Sequence, residues 1–287
     1  MTFCLLQILL VIYLLLNITF SLKDTDKERE IEGKVVVVTG GTCDIGYAIA
    51  DHFLNNGAKV AILLDIKIEE GIQAEKELNS KYGENKAVFI QCDVTVDSKR
   101  LSEYILRKFK HVDIFVNNAA SVEENEPRKL MLINAVATIE WSIIFFKHMR
   151  KDNFRGEGGT IINISSTAAH NIDPLYATYK ASKFAILGFS QSLGHKYNYN
   201  KYGVRVLTLC PGPTNTTLVN NVYNLYERKL VEKVIKYYNF ATIQSSDNVG
   251  RGAVEVFRSS ESGKSWDIVD EKPPVESPNT ITVMPEF

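Results

Sequence analysis

Residues 34–46, Lys34-Val35-Val36-Val37-Val38-Thr39-Gly40-Gly41-Thr42-Cys43-Asp44-Ile45-Gly46, constrain this chain's fold more than any other stretch. The valine run has no polar side, as expected of a strand buried on both faces. A glycine-rich turn follows, then a helical pattern (Ala48, Ile49, Phe53, Leu54) closed by Asn56-Gly57. Strand, glycine turn and helix in that order aim backbone N–H groups and the positive end of a helix dipole at one spot, which suits a phosphate. Gly40, Asp44, Ile45 and Gly46 are the candidate cradle. Taken alone, such a glycine spacing is weak. A second apolar run, Lys59 to Leu64, ends in Asp65. An acid there can accept hydrogen bonds from an adenosine ribose and repels a 2′-phosphate. Together the two features predict a dinucleotide site of the NAD type.

The alternation continues along the chain. The pattern predicts helices over 69–82, 97–109, 129–150 and 247–258, and strands over 87–92, 112–116, 160–164, 204–209 and 266–269. A further helix begins at Asp173-Pro174, with Asp as its N-cap, and runs to about Tyr199. Strands alternating with helices define an α/β fold with a single doubly wound parallel β-sheet flanked by helices, whose ligands bind at the carboxyl ends of the strands. Polar clusters stand at those ends: Cys92-Asp93-Val94, Asn117-Asn118-Ala119-Ala120, Ser165-Ser166 and Cys210-Pro211-Gly212-Pro213. From Thr214 to Gln244 the pattern loosens into a helical flap, placed by its position after a strand end as a short substrate lid. The domain is expected over 33–271, with a proline-containing irregular tail over 272–287.

In Tyr179-Lys180-Ala181-Ser182-Lys183, the phenol and the last ammonium stand one helical turn apart. A phenol is a poor base near neutrality, with an unperturbed pKa of about 10. A cation one turn away favours the phenolate and brings it into use as a general base. The same spacing on a plain helix surface would mean only a solvated lysine near a packing tyrosine. The rest of the chain decides for chemistry.

Net charge is −1, with 33 basic residues scattered among 34 acidic ones. That balance carries no electrostatic footprint for nucleic acid. The four cysteines, Cys4, Cys43, Cys92 and Cys210, form no C-x-x-C pair, which argues against disulfides and against a metal site. The N-terminus is a hydrophobic leader, residues 1–22, followed by a charged linker, 23–32. Its apolar core Leu5–Leu16 suits a signal peptide, while Phe3–Leu22 is just long enough to span a bilayer, which takes about 20 residues. Lys23, Lys27 and Arg29 follow it and no basic residue precedes it. Read as an anchor, it places the domain on the cytoplasmic face of the endoplasmic-reticulum membrane; read as a cleaved signal, it makes the protein secreted or lumenal.

In their order and spacing these motifs resemble the short-chain dehydrogenase/reductase family over residues 33–269. They are the glycine turn, Asp65, Asp93-Val94, Asn117-Asn118-Ala119, Asn134, Ser166 set 13 residues before Tyr179, Tyr179-x-x-x-Lys183 and Pro211-Gly212. The resemblance implies a Rossmann-like fold, NAD as cofactor, a small-molecule substrate that is a secondary, lipid-like alcohol or its ketone, and a homodimer or homotetramer. It implies Tyr179 as general base, Lys183 on the nicotinamide ribose, Ser166 on the substrate oxygen and Asn134 fixing a water. Asp93 and Val94 would flank adenine, Asn117 would line the groove, and Pro211, Gly212 and Thr216 would surround the nicotinamide. Asp44 departs from the family, which has Gly there, and Ala120 replaces another Gly. Asp44 leaves a second reading open: a catalytically weak nucleotide-binding or interaction protein that retains the fold.

Overall fold

The computed structural model describes residues 28–172, 174–218 and 230–278. The chain divides into two compact units, Met1–Ile31 and Glu32–Phe287. The hydrophobic leader and most of the charged linker lie outside the described residues, so the fold is that of the second unit.

Eight strands form one sheet: β1 Val35–Thr39, β2 Val60–Asp65, β3 Ala87–Gln91, β4 Ile114–Asn117, β5 Gly159–Ile164, β6 Val204–Pro211, β7 Ser265–Ile268 and β8 Val275–Glu276. Their order is β3-β2-β1-β4-β5-β6-β7-β8, parallel through β7. The valines of β1 are buried in the centre of that sheet, which is why the run carries no polar position. The chain order reverses between β1 and β4, and the ends of those strands open the crevice that doubly wound sheets use for ligands.

Helices α1 Asp44–Asn55, α2 Ile68–Tyr82, α3 Ser98–Phe109, α4 Pro127–Met149, α5 Ala177–Leu193, α6 Lys196–Tyr202, α7 Leu230–Phe240 and α8 Ser246–Ser259 cover both faces. On one face Phe115 of β4 stacks on Trp141 and Phe145 of α4, with ring centroids 5.7 and 4.2 Å away. On the other, Phe53 of α1 meets Phe257 of α8 edge to face at 5.6 Å.

Four local expectations need correction. The helix over 129–150 starts earlier and widens into a π-helical stretch, Leu132–Ala137, centred on Asn134. Such bulges turn a side chain out of the regular 3.6-residue register. The helix expected to run to Tyr199 breaks at Gly194, and α6 follows. Its start is also later: α5 begins at Ala177, and Asp173, the expected N-cap, lies outside the described residues. The tail is not wholly irregular, because β8 pairs antiparallel with β7 and carries the domain past residue 271. The ends of the 214–244 stretch are tied to each other, since Thr214 and Gln244 form a β-bridge and Asn215 N donates to Gln244 O at 2.9 Å. Within that stretch, Leu230 and Val234 of α7 pack on Leu175 and Tyr176, just before the Tyr179 helix.

Candidate active site

The glycine turn is built by close approach. A Cβ on Gly46 would lie 2.0 Å from Gly40 O, so no other residue allows α1 to start so near the end of β1. Thr39 Oγ1 accepts from the backbone N–H groups of Asn118 and Ala119 at 3.0 and 3.2 Å, fixing the β1 and β4 ends side by side. Asn118 Nδ2 donates to Gly40 O at 3.0 Å. Asp65, at the end of β2, accepts from Thr42 Oγ1 at 2.8 Å through one oxygen and from Lys67 N at 3.2 Å through the other. The carboxylate is thus held on the cleft wall.

Asp44 takes the left-handed backbone (φ 51°) that a glycine would take more readily. Its Oδ2 accepts from Thr217 N at 2.9 Å and from Thr217 Oγ1 at 2.6 Å. The Asp44 side chain therefore joins the glycine turn to the segment after β6. An extra carboxylate beside a diphosphate costs about 1 kcal/mol at 4 Å in water. Asp44→Gly is expected to tighten NADH binding by roughly fivefold, measured by fluorescence titration. Thr217→Val keeps the charge and is expected not to tighten it. Unchanged or weaker affinity in Asp44→Gly would contradict this account of the turn.

The candidate reacting groups stand after β5 and on α5. Ser166 follows β5; its Oγ accepts from Ala168 N at 3.1 Å and lies 3.4 Å from Pro211 O, as a donor to it. Tyr176 occupies the N-cap of α5 in a left-handed conformation (φ 54°, ψ 50°). The cap bonds come from another segment: the Glu124 carboxylate accepts from Thr178 N at 3.0 Å and Tyr179 N at 2.7 Å. Tyr179 and Lys183 share one side of α5, with Lys183 Nζ 5.4 Å from the phenol ring centre. Lys183 is 2% exposed, and its Nζ donates to Ile164 O at 2.9 Å. Burial pulls its ammonium down to about 8, opposed by the nearby Cys210 sulfur.

A cleft of about 550 Å³ joins these parts. Of the expected residues, Gly40, Asp44, Ile45, Asp65, Asp93, Val94, Ser166, Tyr179, Lys183, Pro211, Gly212 and Thr216 line it. Gly46, Asn117 and Asn134 do not. Asn117 is a correction. Its Nδ2 donates into the core, to Asn163 Oδ1 at 2.8 Å and Ser142 Oγ at 2.9 Å, and the groove wall there is Asn118 and Ala119. Asn134 is fully buried: its Oδ1 accepts from Ser121 N, and its Nδ2 donates to Ser121 O and to Ser182 Oγ at 3.0 Å. It fastens the loop after β4 to α5. Sequence reasoning passed over Glu124, Ser121 and Thr217, whose partners lie far along the chain and leave no local signal. One group of ligand-type atoms is present among the described residues. His170, Cys210 and Asp267 lie within 4.8 Å of one another, with His170 Nε2 already paired to Asp267 at 3.0 Å.

The cradle fits a dinucleotide: only a glycine at position 46 lets α1 start against Gly40 O at the end of β1, and a fixed acid ends β2. The fold and cleft thus have the layout of the doubly wound nucleotide-binding enzymes. The model for the short chain dehydrogenase family matches residues 34–226, and the chain belongs to that family. It is 36% identical over 218 residues to 15-hydroxyprostaglandin dehydrogenase [NAD(+)] of Homo sapiens, covering 72% of this chain and 81% of the relative. Alcohol dehydrogenase 2 of Ceratitis capitata is 31% identical over 236 residues, 81% of this chain and 90% of the relative. Levodione reductase shares the fold, with a TM-score of 0.72 at 18% identity over 83% of this chain and 97% of its own. The chain is by class a short-chain alcohol dehydrogenase/reductase, and its relatives point to a nicotinamide cofactor.

Proposed function

We propose that this chain is an NAD-dependent oxidoreductase acting on a secondary alcohol, or on the ketone in reverse, with an apolar, lipid-like substrate. The observation that carries the reading is that Tyr179 and Lys183 share one side of α5 and open, with Ser166, onto the cleft that also holds the glycine turn and Asp65. When bound, the nicotinamide supplies the hydride acceptor or donor. The protein's part is orientation and proton handling. Ser166, its Oγ held by Ala168 N, is placed to hydrogen-bond the substrate oxygen. Tyr179 takes the alcohol proton at its phenol oxygen. The buried Lys183 ammonium favours the phenolate through an environment where charges are weakly screened. Asp65 and the glycine turn bind the adenosine half, and Lys183 the nicotinamide ribose.

The lipid-like substrate rests on the wall near Tyr179, where Val122, Ile133, Leu175, Tyr176 and Leu218 line the cleft and α7 packs behind Leu175 and Tyr176. The test is a panel of secondary alcohols, including hydroxylated fatty acids and steroids, followed by absorbance with NAD and with NADP. NAD is expected to give the higher kcat/KM, because the Asp65 carboxylate stands where a 2′-phosphate would sit. Equal or better efficiency with NADP would overturn the assignment. Small hydrophilic alcohols turning over faster than the apolar ones would overturn the substrate class.

A further inference from the structure

Glu124 sits in the loop between β4 and α4, where the chain carries three acids, Glu123, Glu124 and Glu126, around Asn125. Their run reads as a solvated surface. The structure puts Glu124 elsewhere: it is 4% exposed, and each of its carboxylate oxygens accepts one backbone N–H, from Thr178 and from Tyr179. Those amides are the second and third of α5, two of the donors that a helix start leaves without a partner inside the helix. An N-cap Asp or Ser normally satisfies them from the preceding residue. Here the cap reaches in from 54 and 55 residues upstream, as a full negative charge at the positive end of the helix.

The loop that carries Glu124 is itself fixed. Asn134 holds both the N–H and the carbonyl of Ser121, and also Ser182 one turn along α5. The catalytic helix is therefore gripped twice, through Asn134 of α4 at Ser182 and through Glu124 of the loop at its first turn. The second grip ends on the backbone of Tyr179, at 2.7 Å, and so sets where that phenol stands along the cleft. Misplacing a reacting group by about 1 Å can cost roughly 100-fold in rate.

We infer that Glu124 is a positioning residue for the oxidoreductase chemistry: as the remote cap of α5 it fixes the place of Tyr179 and touches neither substrate nor cofactor. The inference rests on the dehydrogenase reading of the cleft. It separates two things that a purely structural residue would lose together, because the adenosine half of the cofactor site (Gly40, Asp65) is built on β1 and β2, away from this cap, and Lys183, one turn further along α5, keeps its own tie to Ile164 O.

The test uses the full-length chain with Glu124→Ala and Glu124→Gln. In Glu124→Ala, kcat with an alcohol that the wild type oxidises is expected to fall roughly 10- to 100-fold. NADH affinity should stay within about twofold, and amide hydrogen exchange of a peptide spanning Ala177–Lys180 should quicken. Added formate, a carboxylate small enough for the vacated space, should restore part of the rate. Glu124→Gln keeps the shape but offers one acceptor oxygen and turns an N–H₂ toward the other amide. It is expected to lose rate to a lesser degree, and it keeps the question decidable if the alanine variant does not fold. A folded variant with kcat within twofold of wild type, or one that loses NADH affinity as much as rate, would overturn the inference. A wild type that oxidises no alcohol at all would overturn the dehydrogenase reading itself, and is recognised by its failure before any variant is made.

Discussion

Tyr179→Phe is expected to lower alcohol turnover by roughly 100- to 10,000-fold, the range lost when a general acid–base group is removed. The substitution deletes one hydroxyl and keeps the ring. That ring meets Tyr176 edge to face at 6.5 Å and lies beneath the Lys183 ammonium, and both contacts survive. NADH affinity and the thermal midpoint should therefore barely move. The helix start is held through backbone N–H groups, by Glu124, and does not depend on the phenol. Steady-state kinetics with NADH titration alongside gives the comparison. A Tyr179→Phe protein with more than a tenth of wild-type activity would mean that the phenol is not the general base.

Lys183→Met should remove turnover and cofactor binding together, because the ammonium is assigned both to the phenol and to the nicotinamide ribose. Its effect on stability has the opposite sense. Burial draws the Lys183 ammonium down to about 8, whereas an unfolded lysine titrates near 10.4. Between those values the unfolded chain binds the proton and the folded protein does not, so stability rises with pH through that window. Below about pH 8 both states carry the proton, and the folded protein bears the full cost of holding it buried, on the order of 3 kcal/mol. Part of that is regained through the bond to Ile164 O, which the methionine would leave without its donor. The clean observable is therefore a slope. Denaturant unfolding from pH 7 to 10.5 should show the wild type gaining stability relative to Lys183→Met as pH rises above 8. Parallel pH profiles would mean that Lys183 is not held as a buried, destabilised cation.

The architecture was legible because parallel strands covered on both faces have to be apolar throughout. Val35–Val38 and Val60–Leu64 could belong to little else, and most strand ends announced themselves with a polar cluster, although β6 carries the buried Arg205 and β7 carries Asp267. β8 had no such signal: it is two residues long, Val275 and Glu276 are both exposed, and it follows Pro273-Pro274. The π-helical turn at Asn134 was equally hidden, since the apolar pattern of α4 runs through it unbroken.

The site was legible where chemistry is local. Tyr179 and Lys183 announce each other at four residues, and the glycine turn is contiguous. It was misread where a residue's partner lies far along the chain. Asn117 ends a strand as a groove residue would, yet its amide is spent on Asn163 and Ser142 in the core. Asp173 had the composition of an N-cap, but α5 starts at Ala177 and is capped by Glu124. Asp44 is an electrostatic misfit by sequence alone, while in the fold its carboxylate is occupied by Thr217. That pairing lets a carboxylate occupy the turn without facing the cleft unpartnered, and it weakens the case that Asp44 marks a fold emptied of function.

The central claim is that the cleft between the β1 and β4 ends is a working nicotinamide site. Titration of NADH fluorescence against the wild-type chain tests it most directly. The account predicts saturable binding with a Kd below about 1 mM, competed by NAD, and lost in Lys183→Met. No saturation at millimolar NADH, in a protein shown to be folded, would contradict it and favour a nucleotide-fold protein without the chemistry.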